Sequence, residues 1–278
     1  MITSAFLDSL ADEAWPGLDT VRIDGWLLRA AEGVTRRSNS VLPAGPVGDA
    51  EAAIARVEGE YARRGIRPAF QLSDAAVPPG LAELLAARGY EPQGTTATQT
   101  ADAAAVLSAI GEAAPPTGFA VRVAGEPDAA WLELWWSVDG RGGGHELDVA
   151  RRILLSCPAL YASVLDERGA TVAVARLALV ERGGERGGSD GGRGGDDGRA
   201  RERWGGLYAL AVAPAHRRRG LAGVVIGALT TEARAAGVER LWLQVAVDNA
   251  PALALYGRLG FATVSGYRYW CAPDGLDR

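Results

Sequence analysis

The 278-residue chain is poor in cysteine, with only Cys157 and Cys271. The two residues are far apart and lack the paired spacing of a zinc site, which argues against both a disulfide framework and a metal cluster. We therefore expect two ordinary thiols and no bound metal.

Lysine is absent, so all 29 cationic side chains are arginines. They are spread among 34 acidic residues, giving a formal net charge of −5, and no basic tail is present. Proteins that bind nucleic acid usually carry a clustered basic patch. Nucleic acid is therefore not an expected partner.

Long hydrophobic runs are also missing. No apolar segment approaches the roughly 20 residues that a membrane-spanning helix needs. Residues 1–10 have no basic residue before an apolar stretch and include Asp8, which is unlike a secretory signal. These features predict a cytoplasmic protein with no membrane partner. We also expect a monomer or a homodimer.

Residues 183–201 consist almost wholly of Gly, Arg, Asp, Glu and Ser. Such a segment cannot bury enough apolar surface to order itself, and it has no GxxxxGK[ST] phosphate-binding pattern. Residues 171–180 before it and 207–212 after it have the β-branched or apolar character of strands. We expect a hairpin whose tip is a mobile loop.

A second interruption contains Pro115, Pro116 and Gly118. It divides the chain into residues 1–112, a linker at 113–117, and residues 118–278. Besides the hairpin strands, the second part is predicted to contain strands at 119–123, 160–165, 241–245 and 263–270, and helices at 128–136, 147–155, 219–235 and 251–259. This mixture indicates the α+β class, with mixed central sheets flanked by helices in each of two domains.

The two halves share a series of landmarks. Each has a Val-x-Pro, an amphipathic helix ending near a glycine, a strand with a glutamine, and a helix ending in Gly-aromatic. The Pro43-to-Gln71 and Pro214-to-Gln244 spacings are 28 and 30 residues. Near-equal spacing of unlike landmarks indicates a tandem duplication. Generic β-α-β-α spacing is the alternative explanation.

Residues 212–222 leave an apolar strand, turn at Pro214 and open a helix. The unpaired amides of such a turn and the positive end of the helix dipole form a site for an anion such as a pyrophosphate. Gly220 allows the backbone to approach closely. The arginines at 217–219 could be a solvated surface run, but arginine at a helix start opposes the dipole unless an anion is present.

The segment Arg217-x-x-Gly220-x-Ala222 resembles the pyrophosphate motif of the GNAT superfamily of N-acetyltransferases. A second match follows in Asn249-x-x-Ala252-x-x-Leu-Tyr256-x-x-x-Gly-Phe. The resemblance covers about residues 118–278, and the whole is similar to tandem GNAT proteins whose N-terminal copy has decayed. It implies acetyl-CoA as co-substrate and direct attack of an amine on the thioester.

The resemblance also implies which residues form the site. Backbone amides of the strand 210–212 would polarise the thioester carbonyl, and the Tyr256 hydroxyl would protonate the departing thiolate. Tyr256 could instead be a packed core aromatic. The implied cofactor-binding residues are Leu210, Ala211, Val212, Arg217, Arg218, Arg219, Gly220, Leu221, Ala222, Asn249, Ala252 and Tyr256.

The N-terminal half departs from this pattern. Residues 44–48 stand where the anion loop should be, but they contain no arginine, and Pro46 removes one amide donor. Leu85 replaces the counterpart of Tyr256. We expect this half to stabilise the other half or to form one wall of the acceptor cleft. Arg36, Arg37 and Asn39 could line that wall, and placement of these three on the surface is an equal alternative.

The general base and the acceptor stay open. Many GNAT proteins have a glutamate on the strand before the anion loop, whereas residues 207–213 here contain no carboxylate. His145, Glu146, Asp139 or a water chain are candidates. The acceptor is a small amine or a peptide amine. A non-catalytic acyl-CoA-binding regulator would keep the anion loop without needing Tyr256, and a pure scaffold would keep neither motif.

Overall fold

A computed structural model describes residues 2–111, 115–182 and 202–273. In these ranges the chain forms eight helices and eleven strands. The helices are α1 (Ser4–Ala14), α2 (Ala50–Ala62), α3 (Leu81–Ala87), α4 (Ala103–Ile110), α5 (Ala129–Asp139), α6 (Gly144–Leu154), α7 (Leu221–Ala235) and α8 (Ala250–Arg258). The strands are β1 (Asp19–Ile23), β2 (Trp26–Ala30), β3 (Val41–Leu42), β4 (Ala69–Ser73), β5 (Glu91–Asp102), β6 (Phe119–Ala124), β7 (Ala159–Asp166), β8 (Thr171–Arg182), β9 (Glu202–Val212), β10 (Val238–Ala246) and β11 (Ala262–Cys271).

All eleven strands belong to one mixed sheet, in the order β1-β2-β3-β4-β11-β5-β10-β9-β8-β7-β6. Two neighbouring pairs, β3 with β4 and β9 with β10, are parallel, and the others are antiparallel. A mixed sheet flanked by helices confirms the expected α+β class.

The final strand of each half pairs with the other half. β5, from the first half, lies between β10 and β11, and β11, from the second, lies between β5 and β4. Main-chain hydrogen bonds therefore cross the sequence division and fuse the two halves into one sheet. The linker at 113–117 and the domain bounds around it stay a prediction, and residues 112–114 lie outside the described ranges.

Helices cover both faces of the sheet. Successive residues of β10 belong to opposite cores, since Trp242 packs with α1, α5 and α6 whereas Leu241 and Leu243 pack with α4, α7 and α8. We call these the α1 face and the α7 face. The α1 face is rich in tryptophan, and the α7 face is aliphatic.

The helix starts differ in a way that matters for the site. Thr3, Asp49, Asp102, Asp128 and Asn249 cap their helices by accepting hydrogen bonds from first-turn amides. Helix α7 begins after Gly220 without a side-chain cap. The sequence predicts that α7 starts at residue 219, whereas in the structure it starts two residues later, at Leu221.

The segment 183–201, predicted to be a mobile loop, lies outside the described residues. The strands that it joins pair antiparallel as predicted, with Arg182 opposite Glu202. Among the described helices, none has the length and apolar character that crossing a membrane requires.

Candidate active site

A gap opens in the middle of the sheet. Strands β9 and β10 pair in parallel only as far as Leu207 and Leu243. Beyond that point β9 stays paired with β8 as far as Val212, whereas β10 stays paired with β5 as far as Ala246. The facing edges of the two strands then carry main-chain groups that the sheet does not pair.

A β-bulge bends β9 at the start of this gap. The pairing with β8 shifts between Val174 and Arg176, where three steps on β9 oppose two on β8. The extra residue falls beside Ala209, which has a φ of 53°. An alanine rarely adopts this left-handed conformation, and a bulge increases the local bend and twist of its strand. The bulge therefore sets the direction of the backbone amides of residues 210–212 at the gap.

The start of α7 lies directly after β9 and one turn at Pro214–His216. Arg218 and Gly220 have φ values of 63° and 78°. No hydrogen-bond partner for the amides of residues 218–223 is found among the described residues. A Cβ added to Gly220 would meet nothing within 4 Å. An accessible row of amide donors at a helix N-terminus fits a pyrophosphate.

The arginines beside this row differ in their placement. Arg217 donates from Nε to the carbonyl of Val212 at 3.3 Å, which holds the turn against the end of β9. Arg218 and Arg219 are exposed. The first turn of α7 contains no acidic residue. The side chains near the turn therefore add positive charge without an internal carboxylate to neutralise it.

The corresponding helix of the first half is closed to an anion. Asp49 accepts hydrogen bonds from the amides of Glu51 and Ala52 at 2.9 and 3.2 Å. The Gly25 amide donates to Pro46 at 3.0 Å, so the loop before α2 packs against the β1–β2 turn. Two carboxylates at this helix start would repel a phosphate. This geometry supports the expectation that the first half lacks a cofactor site.

Tyr256 lies on the last turn of α8, on the α7 face. It is 8% exposed, and its ring meets Phe261 edge-on with centroids 5.8 Å apart. Burial raises its pKa to about 12, so the phenol is neutral and can donate a proton at physiological pH. Its hydroxyl has no hydrogen-bond partner in the described ranges and is not sealed from solvent. The ring packs in the core while the hydroxyl stays available.

Several predicted site residues share one apolar cluster with Tyr256, namely Leu210, Val212, Leu221 and Ala252. Ala211 points to the opposite face, as strand alternation requires. The side chain of Asn249 is engaged in the structure, since Oδ1 accepts from the Ala252 amide at 3.2 Å and caps α8. Cofactor contacts of all these residues stay a prediction.

The first half contributes an arginine to the other face of the gap. Arg37 places its guanidinium carbon 5.3 Å from the ring centroid of Tyr208, the residue before Ala209. Tyr208 stacks on Trp15 at 5.4 Å. Arg36 lies over Tyr269 instead.

Asn39, the third residue considered for the acceptor wall, is buried and serves the backbone. It accepts from the amides of Ala31 and Gly33 and donates to the carbonyls of Val34 and Thr35, at 2.7 to 3.0 Å. Each side-chain donor and acceptor is thus used within one loop. Asn39 therefore shapes this loop, and a wall of the acceptor cleft formed by Arg36 or Arg37 stays a prediction.

Buried polar atoms without partners accumulate beside the gap. They are Oη of Tyr208, Nε1 of Trp242, Nε of Arg37, and both amide atoms of Gln244. Unpaired buried polar groups cost free energy and are rare in native proteins. A polar ligand or water is the natural partner for them.

Two of the candidate bases, His145 and Glu146, are engaged elsewhere. His145 contacts Glu32 at 3.0 Å and is 70% exposed. Glu146 accepts from the Gly143 amide at 2.7 Å and helps to cap α6, and backbone hydrogen bonds hold its pKa below the usual range. No hydrogen bond of His145, Glu146 or Asp139 in the described ranges reaches β9 or α8. The base is still unassigned.

Known proteins resemble this chain along nearly its whole length. The profile of a family described as "Probable histone acetyltransferase Rv0428c C-terminal" matches residues 6–270. The "Uncharacterized N-acetyltransferase YobR" of Bacillus subtilis is 29% identical over 271 residues, which are 95% of this chain and 96% of that protein.

Two solved structures show the same fold. A GCN5-related N-acetyltransferase from Kribbella flavida has a TM-score of 0.68 at 18% identity, covering 99% of this chain and 97% of its own. A tandem GNAT protein from the clavulanic acid biosynthesis pathway has a TM-score of 0.62 at 16% identity, covering 96% and 87%.

The fold and these relatives define an acetyltransferase of the GNAT superfamily. Because the profile covers nearly all of the described chain, the protein belongs to the Rv0428c C-terminal family of acetyltransferases. The resemblance inferred from the two sequence motifs is confirmed.

Proposed function

We propose that the protein transfers an acetyl group from acetyl-CoA to a primary amine by direct attack, at one site formed by the second half. The observation that carries this proposal is the uncapped N-terminus of α7, which lies at the end of β9 where the sheet opens. A helix start beside an open strand edge can hold a phosphate and an acyl group of the same molecule at once.

In this arrangement the amides of residues 218–222 bind the pyrophosphate of acetyl-CoA. The thioester reaches the gap between β9 and β10, where amides of residues 210–212 donate to its carbonyl oxygen. Fixed donors of this kind stabilise the negative charge that develops on that oxygen during attack. The bulge at Ala209 sets their direction before the substrate arrives.

The reaction needs one C–N bond to form and one C–S bond to break. The neutral phenol of Tyr256 gives its proton to the departing thiolate and regains one from solvent. The acceptor nitrogen loses its surplus proton to a base that we leave unassigned, with a water chain as one candidate. No covalent bond to the protein is required.

The acceptor class has two candidates. The description of the matching family contains the words "histone acetyltransferase", which points to an amine of a protein. A small amine is the other candidate. A regulatory acyl-CoA-binding protein without turnover is disfavoured, since the matching family and the relative from Bacillus subtilis carry acetyltransferase names and the Tyr256 hydroxyl is available.

Calorimetric titration with acetyl-CoA tests the proposal. We expect one site per chain, because Asp49 closes the corresponding helix start of the first half. Thiol release on adding a panel of small and peptide amines should then identify turnover. Two equivalent sites, or no binding at all, would contradict this assignment.

A further inference from the structure

Two arginines flank one aromatic pair beneath the bulge. The guanidinium carbons of Arg37 and Arg176 both lie 5.8 Å from the Trp15 ring, and 5.3 and 5.6 Å from the Tyr208 ring. Arg176 is opposite Tyr208 in the β8–β9 pairing and is fully buried. Two positive charges therefore meet at the α1 side of the gap.

Neither charge has a carboxylate partner among the described residues. Arg176 bonds only to neutral groups, namely the Ala14 carbonyl at 3.0 Å, the Cys157 sulfur at 3.0 Å and the Tyr161 hydroxyl at 3.3 Å. By contrast, the buried Arg29 pairs with Asp12 at 3.3 Å. Arg29 thus has a carboxylate partner, which Arg37 and Arg176 lack among the described residues.

Burying two positive charges side by side without an anion costs free energy. Aromatic contacts offset only part of the free-energy cost of burying a cation. Each guanidinium nitrogen of Arg176 already donates a hydrogen bond to one of these neighbours. Unlike Arg176, Arg37 is only half-buried; its Nε is sealed and unpaired, and its side chain also hydrogen-bonds with Tyr267 of β11. Arg37 is therefore the group that can receive an anion.

Arg37 lies near the place proposed for the acyl group. Tyr208 is two residues before Leu210, so the Arg37 guanidinium is on the order of 10 Å from the amides that would hold the thioester carbonyl. Gln244, on the opposite edge of the gap, has an amide group without partners. The pyrophosphate would lie on the α7 face, so Arg37 is free of the cofactor phosphates.

We propose that Arg37 binds a carboxylate of the acceptor, so that the substrate is a primary amine that carries a carboxylate, such as an amino acid. This inference rests on the proposed function. A guanidinium binds a carboxylate through two parallel hydrogen bonds, and the hydroxyl of Tyr208 and the amide of Gln244 supply the further polar contacts. The N-terminal half thereby determines which acceptor binds, whereas the C-terminal half carries the residues that catalyse the transfer.

The test compares acceptors that differ only in the carboxylate. Acetyl transfer would be measured with α-amino acids, β-alanine and 4-aminobutanoate, each beside its carboxamide. We expect kcat/KM to be at least about 10-fold higher for the acids. In Arg37→Gln the acids should lose about 10- to 100-fold, mainly through KM, while the carboxamides change little. Arg37→Lys should keep part of the preference, and the exposed Arg56→Gln serves as the matched control.

The outcomes separate this inference from the proposed function. Absence of acetyl-CoA binding in the wild type refutes the function itself. Normal acetyl-CoA binding and amine turnover, with no advantage for acids or an equal loss for carboxamides in Arg37→Gln, overturns the role of Arg37. If only succinyl-CoA turnover responds to Arg37→Gln, the anion belongs to the acyl donor, which also overturns it.

Two further arms complete the test. Dipeptides with an acidic second residue distinguish a peptide acceptor from a free amino acid, and either supports binding of a carboxylate. If Arg37→Gln does not fold, Tyr208→Phe replaces it, since that change keeps the stacked ring and removes the unpaired hydroxyl. A several-fold rise in KM for acids alone is expected, and equal KM values for acids and carboxamides would refute the proposal.

Discussion

Tyr256 combines a packed ring with an available hydroxyl, so its two interpretations make different predictions. Tyr256→Phe keeps the ring and removes only the proton donor. We expect kcat to fall by roughly 10²-fold or more while acetyl-CoA affinity stays near wild type, because the hydroxyl acts on the leaving thiolate. The loss should be smaller for thioesters of better leaving thiols.

Steady-state kinetics and calorimetry on the same variant check this. The matched control is Tyr90→Phe, which removes a buried hydroxyl bonded to Glu58 in the first half. It should alter the melting temperature more than kcat. Wild-type turnover in a stably folded Tyr256→Phe variant would show that this tyrosine is a packing residue.

Asp8 makes stability depend on pH. Burial raises its pKa to about 6, although the Ser73 hydroxyl donates to it at 2.5 Å and partly opposes that rise. As pH increases, the unfolded carboxyl ionises first near 3.8, so stability is fully present below that pH and is lost up to about pH 6. The loss is on the order of 3 kcal/mol, from about 1.4 kcal/mol for each pKa unit.

The variant Asp8→Asn removes this ionisation. We expect its unfolding free energy to exceed that of the wild type by about 1–3 kcal/mol at pH 7 and to approach it near pH 4. Denaturant titrations at several pH values measure the difference, with the exposed Asp74→Asn as control. A pH-independent difference would mean that hydrogen bonding to Ser73, and not the charge, is responsible.

The site residues were only partly readable from the sequence. Gly220 and Tyr256 belong to recurring motifs, because a helix start that binds phosphate needs a particular backbone. Ala209 could not be recognised, since nothing local requires a positive φ at an alanine. The position of Arg37 beside Tyr208 also depends on a contact between the halves, which short-range patterns do not report.

Helix α7 differs from α2 at its first turn, and this difference can be tested at Gly220. Gly220→Ala and Gly220→Asp share the strain of a side chain at positive φ, but only the second adds a negative charge. We expect Gly220→Asp to weaken acetyl-CoA binding about 10- to 100-fold more than Gly220→Ala, because the charge repels pyrophosphate.

Calorimetric Kd values for both folded variants measure this. The Gly220→Asp variant should melt no lower than Gly220→Ala, since aspartate tolerates a positive φ better and its charge is favourable at a helix N-terminus. If both bind acetyl-CoA equally well, the cofactor phosphates lie elsewhere and the assignment of α7 is wrong.

Elements with strong periodicity were predictable, and those defined by distant pairing were not. The strands and helices predicted in the second half are all present in the described ranges, with ends shifted by a few residues. Strand β5 has no apolar alternation, and it contains Pro92 and Gly94. Its strand conformation comes from β10 and β11 on its two sides, which are more than 100 residues away in sequence.

The shared sheet predicts that the two halves unfold together. Each half has its last strand in the sheet of the other, so neither can lose its structure alone. We expect one calorimetric transition with equal van't Hoff and calorimetric enthalpies. Residues 1–112 and 118–278 expressed separately should each be unfolded or aggregated, and co-expression should restore a complex. Two resolved transitions, or two stable fragments, would show independent domains.

The central position of β5 also bears on synthesis of the chain. Ribosomes add about 5–20 residues per second, so roughly 7 to 30 seconds separate residue 102 from residue 238, where the first partner of β5 begins. During that interval β5 has two open edges, a state that favours association with other chains. The composition of β5 lowers its tendency to associate during this interval. Apart from Gly94, its residues are two alanines and one proline among threonine, glutamine and charged side chains. A nascent chain therefore carries the middle of its sheet as a polar segment until the last strands are made.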